Sequence, residues 1–342
     1  YVSSFLENIP QSKSKLDKLK NEALNNPFYL KNLISPDGKT TAIIVFTHDR
    51  PQQENYRQDL LAKTQNILKP YKDNTDFHLA GWTVTNYSLS QYMQKDLATF
   101  IPITYFLIAI VTFLIFRNIR LTILAVITIS ACLGSTMGLF RILGININNV
   151  TTIVPPLVMA LSLADVVHIF SHMKHNVLEQ FPERRIALAH VLRQVIAPCF
   201  LTTVTTALGF FALAVSDLEP IRQFAFLSSA GMFFEFFFAF FLLPPIILFF
   251  KPEKLYFQEK EKQIITKALN KLNSFININY KIIFFSGILI LILAAFFSFK
   301  VNVNTNLNKF FRASSPERKD LKFVQNKLSG VGSLDVSIKA NK

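Results

Sequence analysis

Six windows of this 342-residue chain are apolar enough to enter a lipid bilayer, and this constrains the fold more than any other feature. They run from Leu97 to Phe116, Leu121 to Phe140, Ile142 to about His172, Gln194 to Ser216, Gln223 to Phe250 and Ile282 to Phe299. Crossing a hydrocarbon core of ~30 Å takes about 20 apolar residues at the helical rise. Lipid offers no partner for backbone N–H and C=O groups, so each window is expected to be a helix. The composition agrees, with 51% hydrophobic residues, 35 Phe and a mean hydropathy of +0.32. An α-helical polytopic membrane protein is expected, with six spans in this chain.

A formal charge of +14 raises the question of nucleic acid, but the placement of the charge answers it. The turn "FRNIR", the loop from Met173 to Arg193 and the segment from Lys251 to Lys281 hold two, four and seven Lys or Arg, against Arg141 and Arg222 in the two opposite loops. Basic loops face the cytoplasm, so residues 1–96 and 300–342 are expected on the other side, with 97–250 forming the first five spans and 282–299 the sixth. No aromatic-basic stacking surface is apparent, and no nucleic-acid partner is expected. The basic connector 251–281 mixes "LYF" and "IITKALNKLNSF" with its lysines. It reads either as a helix lying along the inner leaflet, in contact with membrane lipids, or as an ordinary solvated connector.

The segments flanking the spans read as pieces of folded domains. "TTAIIVF" has strand composition, "PQQENYRQDLLAKTQNILKPY" has helical spacing, and "FHLAGWTV" alternates, which predicts a βαβ unit with strands at Ala42 to Thr47 and Phe77 to Val84. Near the other end "SPERKDLKFVQNKLSG" reads as a helix closed by Gly330, and "LDVSIKA" as the start of a strand without a partner here. With neither an initiator Met nor a signal peptide, the chain reads as the middle of a larger protein. Cys132 and Cys199 both fall within spans and point neither to disulfides nor to a metal site.

Two carboxylates interrupt the apolar windows. An ionised carboxylate at this depth costs at least ~2.5 kcal/mol, so Asp165 must be buried in the bundle, paired, or protonated for part of the time. His168 and His172 follow at three and seven residues, on the Asp165 face of one helix, where a proton could be relayed inward; an amphipathic residue near the membrane exit is the plainer reading. Glu235, in "GMFFEFFFAFF", lies about 14 residues into its span, roughly 21 Å from its start and at a depth similar to Asp165. It joins a proton path, or sits protonated against a backbone carbonyl. In "TTVTT", Thr202 and Thr206 offer hydroxyls to such a path, although threonines in spans more often bond their own helix. Gly134 and Gly138 have the spacing for close helix approach, and Pro155 and Pro156 should break or start the third of these windows above Asp165. The spacing completes no metal site, and no phosphate-binding glycine loop with Lys suggests ATP.

The motif order resembles the resistance-nodulation-division (RND) superfamily: "QKDLATFIPI", "FRNIR", "NNVTTIVPPLVMALSLADVVHI", "PCFLTTVTTALGFFALAVSDLEPIRQF", "LLPP" and "VNVNTNLNKFFRASSPERKDLKFV". Its nearest branch is that of hydrophobe/amphiphile exporters, related to MmpL-like lipid transporters and sterol-sensing proteins. The resemblance implies twelve spans in two halves, each carrying a ferredoxin-like α/β periplasmic porter domain. This chain would hold the end of the first porter domain, spans two to seven and the start of the second porter domain. It further implies a bacterial inner membrane with both ends of this chain periplasmic, and coupling to protons through a fourth-span aspartate, the position of Asp165. Two residues depart from the pattern: Ser162 stands where a glycine is usual, and Glu235 has no counterpart in it.

These readings lead to part of a secondary active transporter driven by the proton gradient. Its substrate is expected to be a hydrophobic or amphiphilic small molecule or lipid, its partners further copies of itself or accessory periplasmic proteins, with no cofactor and no catalytic residue. The alternatives are a non-pumping lipid- or sterol-binding sensor or assembly factor of the same fold, and a protein-export accessory subunit.

Overall fold

The computed structural model describes residues 12–48, 50, 53, 55–251, 255, 263–301 and 311–330, without the side chains of 263–269. Eleven α-helices occur among these residues: α1 Lys13–Asn25, α2 Tyr56–Leu68, α3 Trp82–Phe116, α4 Ile119–Ile142, α5 Val154–His172, α6 His175–Gln180, α7 Arg184–Phe211, α8 Glu219–Phe237, α9 Leu243–Phe249, α10 Gln263–Ser298 and α11 Pro316–Lys327. The chain divides into two compact units, residues 92–302 and residues 1–91 with 303–342.

The larger unit contains the apolar helices. Six helical stretches are long and apolar enough to cross a membrane: Trp82–Phe116, Ile119–Ile142, Thr151–His172, Arg184–Val215, Glu219–Phe249 and Asn270–Ser298. The expected windows match them in order, but the third begins later than the composition suggested. Residues 143–150 are irregular, with Gly144 at φ 65° turning the chain after α4. The Asn148 side chain then caps the restart, its Oδ1 accepting from the N–H groups of Val150 and Thr151 at 3.0 Å each. A short 3₁₀ turn, Thr151–Ile153, leads into α5, and Pro155 and Pro156 stand in its first turn. There the missing N–H groups cost nothing, since the first helical turn has no intrahelical acceptors for them. The prolines therefore start this span rather than break it.

The pair Pro244 and Pro245 in the fifth span acts differently. It follows a π turn, Phe238–Leu242, that separates α8 from α9. Two consecutive residues without N–H groups release carbonyls one turn earlier, and the wider turn accommodates them. In α10 the backbone leaves helical geometry at Asn279, φ −108° and ψ 17°, close to where the basic connector meets the last apolar run.

Packing within the bundle falls into two main apolar clusters. One gathers Phe116, Leu124, Val166, Phe170, Val191, Phe240 and Leu243 from α3, α4, α5, α7 and the α8–α9 region. The other gathers Phe140, Val154, Val158 and Leu227 from α4, α5 and α8. The segment of α5 between Val158 and Val166 lies between the two.

The smaller unit departs from expectation. Neither Ala42 to Thr47 nor Phe77 to Val84 forms a strand, and no strand occurs among the described residues. Isolated bridges join Leu30 to Ile34 and Ile34 to Thr41, after which residues 42–48 have no regular structure, with Ile43 81% and Phe46 91% exposed. A lone extended segment cannot satisfy its own backbone groups, so strand composition alone does not produce a strand. Gly81, at φ 123°, ends the second segment, and Trp82 to Val84 join α3. The intervening helix is present as α2. "LDVSIKA" and Pro51 lie outside the described residues.

The α11 segment packs on the early part of the chain within this unit. Ser315 caps its first turn, accepting from the Arg318 N–H at 3.3 Å. His78 bonds Asp320 at 2.7 Å and stacks on Phe323, and Ser329 donates to the Lys31 carbonyl from both its N–H and its hydroxyl. Lys327 reaches Asp37 at 2.8 Å, and together with the Ser35 hydroxyl and the Lys39 N–H it holds the Asp37 carboxyl well below the usual carboxylate range. A depressed carboxyl contributes stability above its unfolded pKa of about 3.9 and loses it as the pH falls further, so this contact persists at neutral pH.

Candidate functional site

Four helices bring polar side chains together between the two apolar clusters. From α5 come Ser162 and Asp165, three residues apart and thus on one face; both are buried, Asp165 to 4% exposure. α8 supplies Glu235, also 4% exposed, together with the Gly231 carbonyl one turn above it. α4 provides Cys132 and Thr136, and α7 provides Cys199 and the buried Thr203. The apolar residues on either side keep this layer from contact with bulk water.

Close approach of α5 and α8 makes the layer possible. A Cβ added to Gly231 would lie 2.5 Å from Val158 Cγ2 and 3.5 Å from Thr136 Oγ1. Small residues at helix contacts are the usual means by which spans approach closely in lipid. Gly134 and Gly138 do not serve this purpose within the chain, since an added Cβ at either meets nothing within 4 Å. The contact face of α4 is instead carried by Cys132, Thr136 and Phe140, one turn apart from one another.

One turn above the carboxylates, Ser162 donates to Cys132 Sγ at 3.2 Å, and the Cys132 thiol points to the Gly231 carbonyl at 3.7 Å. These contacts link α5, α4 and α8. Thr136 donates to the Cys132 carbonyl at 2.9 Å, which satisfies its hydroxyl within its own helix. At the level of the carboxylates, the Cys199 thiol hydrogen-bonds Asp165, and the charges of Asp165 and Glu235 act on each other. Asp165 Oδ2 and Glu235 Oε2 are both fully covered and have no hydrogen-bond partner. Phe236 of α8 packs against Phe200 of α7 and against Phe240, at 5.5 and 4.6 Å between ring centres.

His168 acts electrostatically on Asp165, but its side chain lies at the exposed surface of α5. His172 is half-buried, and its Nδ1 lies 3.0 Å from the His168 carbonyl and 3.3 Å from the Ser171 hydroxyl. Thr202 donates to the Cys199 carbonyl at 2.8 Å, so its hydroxyl is occupied by its own helix, and Thr206 is half-buried. The sequence reading did not assign a place here to Cys199, Cys132 or Ser162. Their types carry no signal of their own, and only the packing of α4 and α7 against α5 brings the two thiols in. No group of three His, Cys, Asp or Glu placed to hold a metal ion occurs among the described residues.

Six apolar helices and a polar layer enclosed among them define a multi-pass helical membrane protein. No curated protein matches the chain. A family match covers residues 2–270, and on that extent the chain belongs to the MMPL family. This is consistent with an MmpL-like chain of the RND superfamily, and members of the MMPL family are transporters rather than enzymes.

Proposed function

We propose that the chain is part of an RND-type exporter driven by the proton-motive force, carrying hydrophobic or amphiphilic molecules, lipids among them, out of a bacterial inner membrane. The observation that carries this reading is the buried carboxylate of Asp165 in the middle of a span, in a chain of the MMPL family. A carboxyl group at such a position is costly when ionised, and this cost is what makes its protonation a means of switching helix packing. Asp165 would take up and release the proton, with His168 and His172 toward the basic end of α5 as the route inward. Segments 1–96 and 300–342 would belong to periplasmic porter domains that receive the substrate.

Reconstituted into vesicles, the protein should move a fluorescent amphiphile when a pH gradient is imposed, and a protonophore should stop that movement. Binding of the amphiphile without movement in either condition would instead favour a lipid-binding sensor of the same fold. His168→Gln should lower the transport rate several-fold and alter its pH profile while leaving transport measurable, because water can replace one relay member. An unchanged profile would remove His168 from the route.

The orientation rests on the basic loops and is tested separately. Single cysteines at Ser12, Lys260 and Ser315, in a background lacking Cys132 and Cys199, should react with an impermeant thiol reagent from the outside only at the first and third positions. Outside labelling at Lys260 would reverse the topology.

A further inference from the structure

Glu235 has no counterpart in the motifs that place the chain among RND transporters, and the fold nevertheless brings it to Asp165. Register shows how. Val158 on α5 meets Gly231 on α8. Both helices begin at the same end of the bundle, because one spanning helix, α7, separates α5 from α8 and the chain reverses direction twice between them. Asp165 lies seven residues beyond Val158, and Glu235 four residues beyond Gly231. The difference of three residues places Asp165 roughly 4.5 Å deeper at the helical rise, and its side chain, leaning toward the N-terminus of α5, leans toward the level of Glu235.

We propose that Asp165 and Glu235 hold one proton between them, as a carboxyl–carboxylate pair that titrates as a unit. Each carries a fully buried oxygen without a hydrogen-bond partner, Oδ2 and Oε2, and each feels the charge of the other. Two ionised carboxylates in one enclosed layer repel, whereas one proton shared between them gives an orphaned oxygen a donor and leaves a single negative charge. The other ionisable groups that interact with the pair come from three helices: the thiols of Cys132 on α4 and Cys199 on α7, and His168 on α5. The thiol of Cys199 donates to Asp165. Among the described residues no lysine or arginine acts on either carboxylate, and His168 acts on Asp165 from the exposed surface of α5, so a proton held between the two carboxylates neutralises the pair from within.

This proposal rests on the reading of Asp165 as the proton-binding residue, and its test separates the two. The test is infrared difference spectroscopy of the protein in lipid across a pH titration, following the carbonyl band of protonated carboxylic acids in the parent, Asp165→Asn and Glu235→Gln. A shared proton predicts a band that each substitution alters, and a midpoint for the remaining carboxyl that moves by a pH unit or more when its neighbour is neutralised. Glu235→Asp, which shortens the reach but keeps the charge, should weaken this coupling without abolishing it. Midpoints that stay the same in both neutral variants would overturn the pair even if Asp165→Asn stops transport. Coupled midpoints together with normal transport in Asp165→Asn would leave the pair standing and remove its role in pumping.

Discussion

Replacing Asp165 by Asn should reduce gradient-driven transport to the level of protein-free vesicles, with the protein still inserted and folded. The expectation follows from a comparison of magnitudes. Removing an ionised carboxylate from the middle of a span relieves about 2.5–3.5 kcal/mol on insertion scales. Leaving one amide group unpaired in the layer costs about 1–3 kcal/mol. The two nearly cancel, so folding should change little while the only effect on chemistry is that position 165 can no longer bind a proton. Asn also keeps the side-chain volume, so the Val158–Gly231 contact one to two turns away is left undisturbed. Thermal unfolding in detergent checks the first half of this expectation and vesicle transport under an imposed pH gradient the second. An Asp165→Asn protein that pumps at the parent rate would end the mechanism, whereas one that fails to fold would show that the carboxylate is structural.

The second large effect is expected at Gly231, a residue with no chemistry. Carbon atoms pack at about 3.5–4.0 Å, and a methyl group at Gly231 would start 2.5 Å from Val158 Cγ2. Valine is short and β-branched and cannot rotate out of the way cheaply, so α5 and α8 have to part. Overpacking of this kind costs about 1–3 kcal/mol, which for a domain of this size lowers the melting temperature by about 5 °C. Gly231→Ala should therefore lose stability and transport together, since Glu235 is carried one turn below on the same helix. Val158→Ala removes the atom in the way and should restore part of the loss when combined with Gly231→Ala. If the glycine variant melts with the parent, the contact is not as close as described.

Helix α8 illustrates what could and could not be read in advance. Its apolar length marked it as a span, and Glu235 stood out because a charge among phenylalanines is conspicuous. Gly231, which decides how near α8 comes to α5, looked no more significant than Gly134 or Gly138, whose spacing attracted notice and which face open space. The flanking segments teach the opposite lesson. Ile43 to Phe46 have the composition of a strand, yet they form none and lie uncovered, because a strand is a property of a pair. The Asp37–Lys327 and His78–Asp320 contacts that tie α11 to the early segment join residues more than two hundred positions apart, which no local pattern could announce.

Sequence alone determined the membrane character of this chain, the order of its spans and the presence of carboxylates within two of them. These are local properties: transfer of a helix into lipid depends on the side chains of that helix and hardly on its neighbours. Tertiary structure decided the surroundings of the carboxylates. Cys132, Asp165, Cys199 and Glu235 come from four different helices, and their meeting depends on register and on one missing side chain at Gly231. The start of the third span at Thr151, set by the Asn148 cap, was also decided by contacts and not by hydropathy, because an apolar run is indifferent to where its helix begins while backbone N–H groups are not.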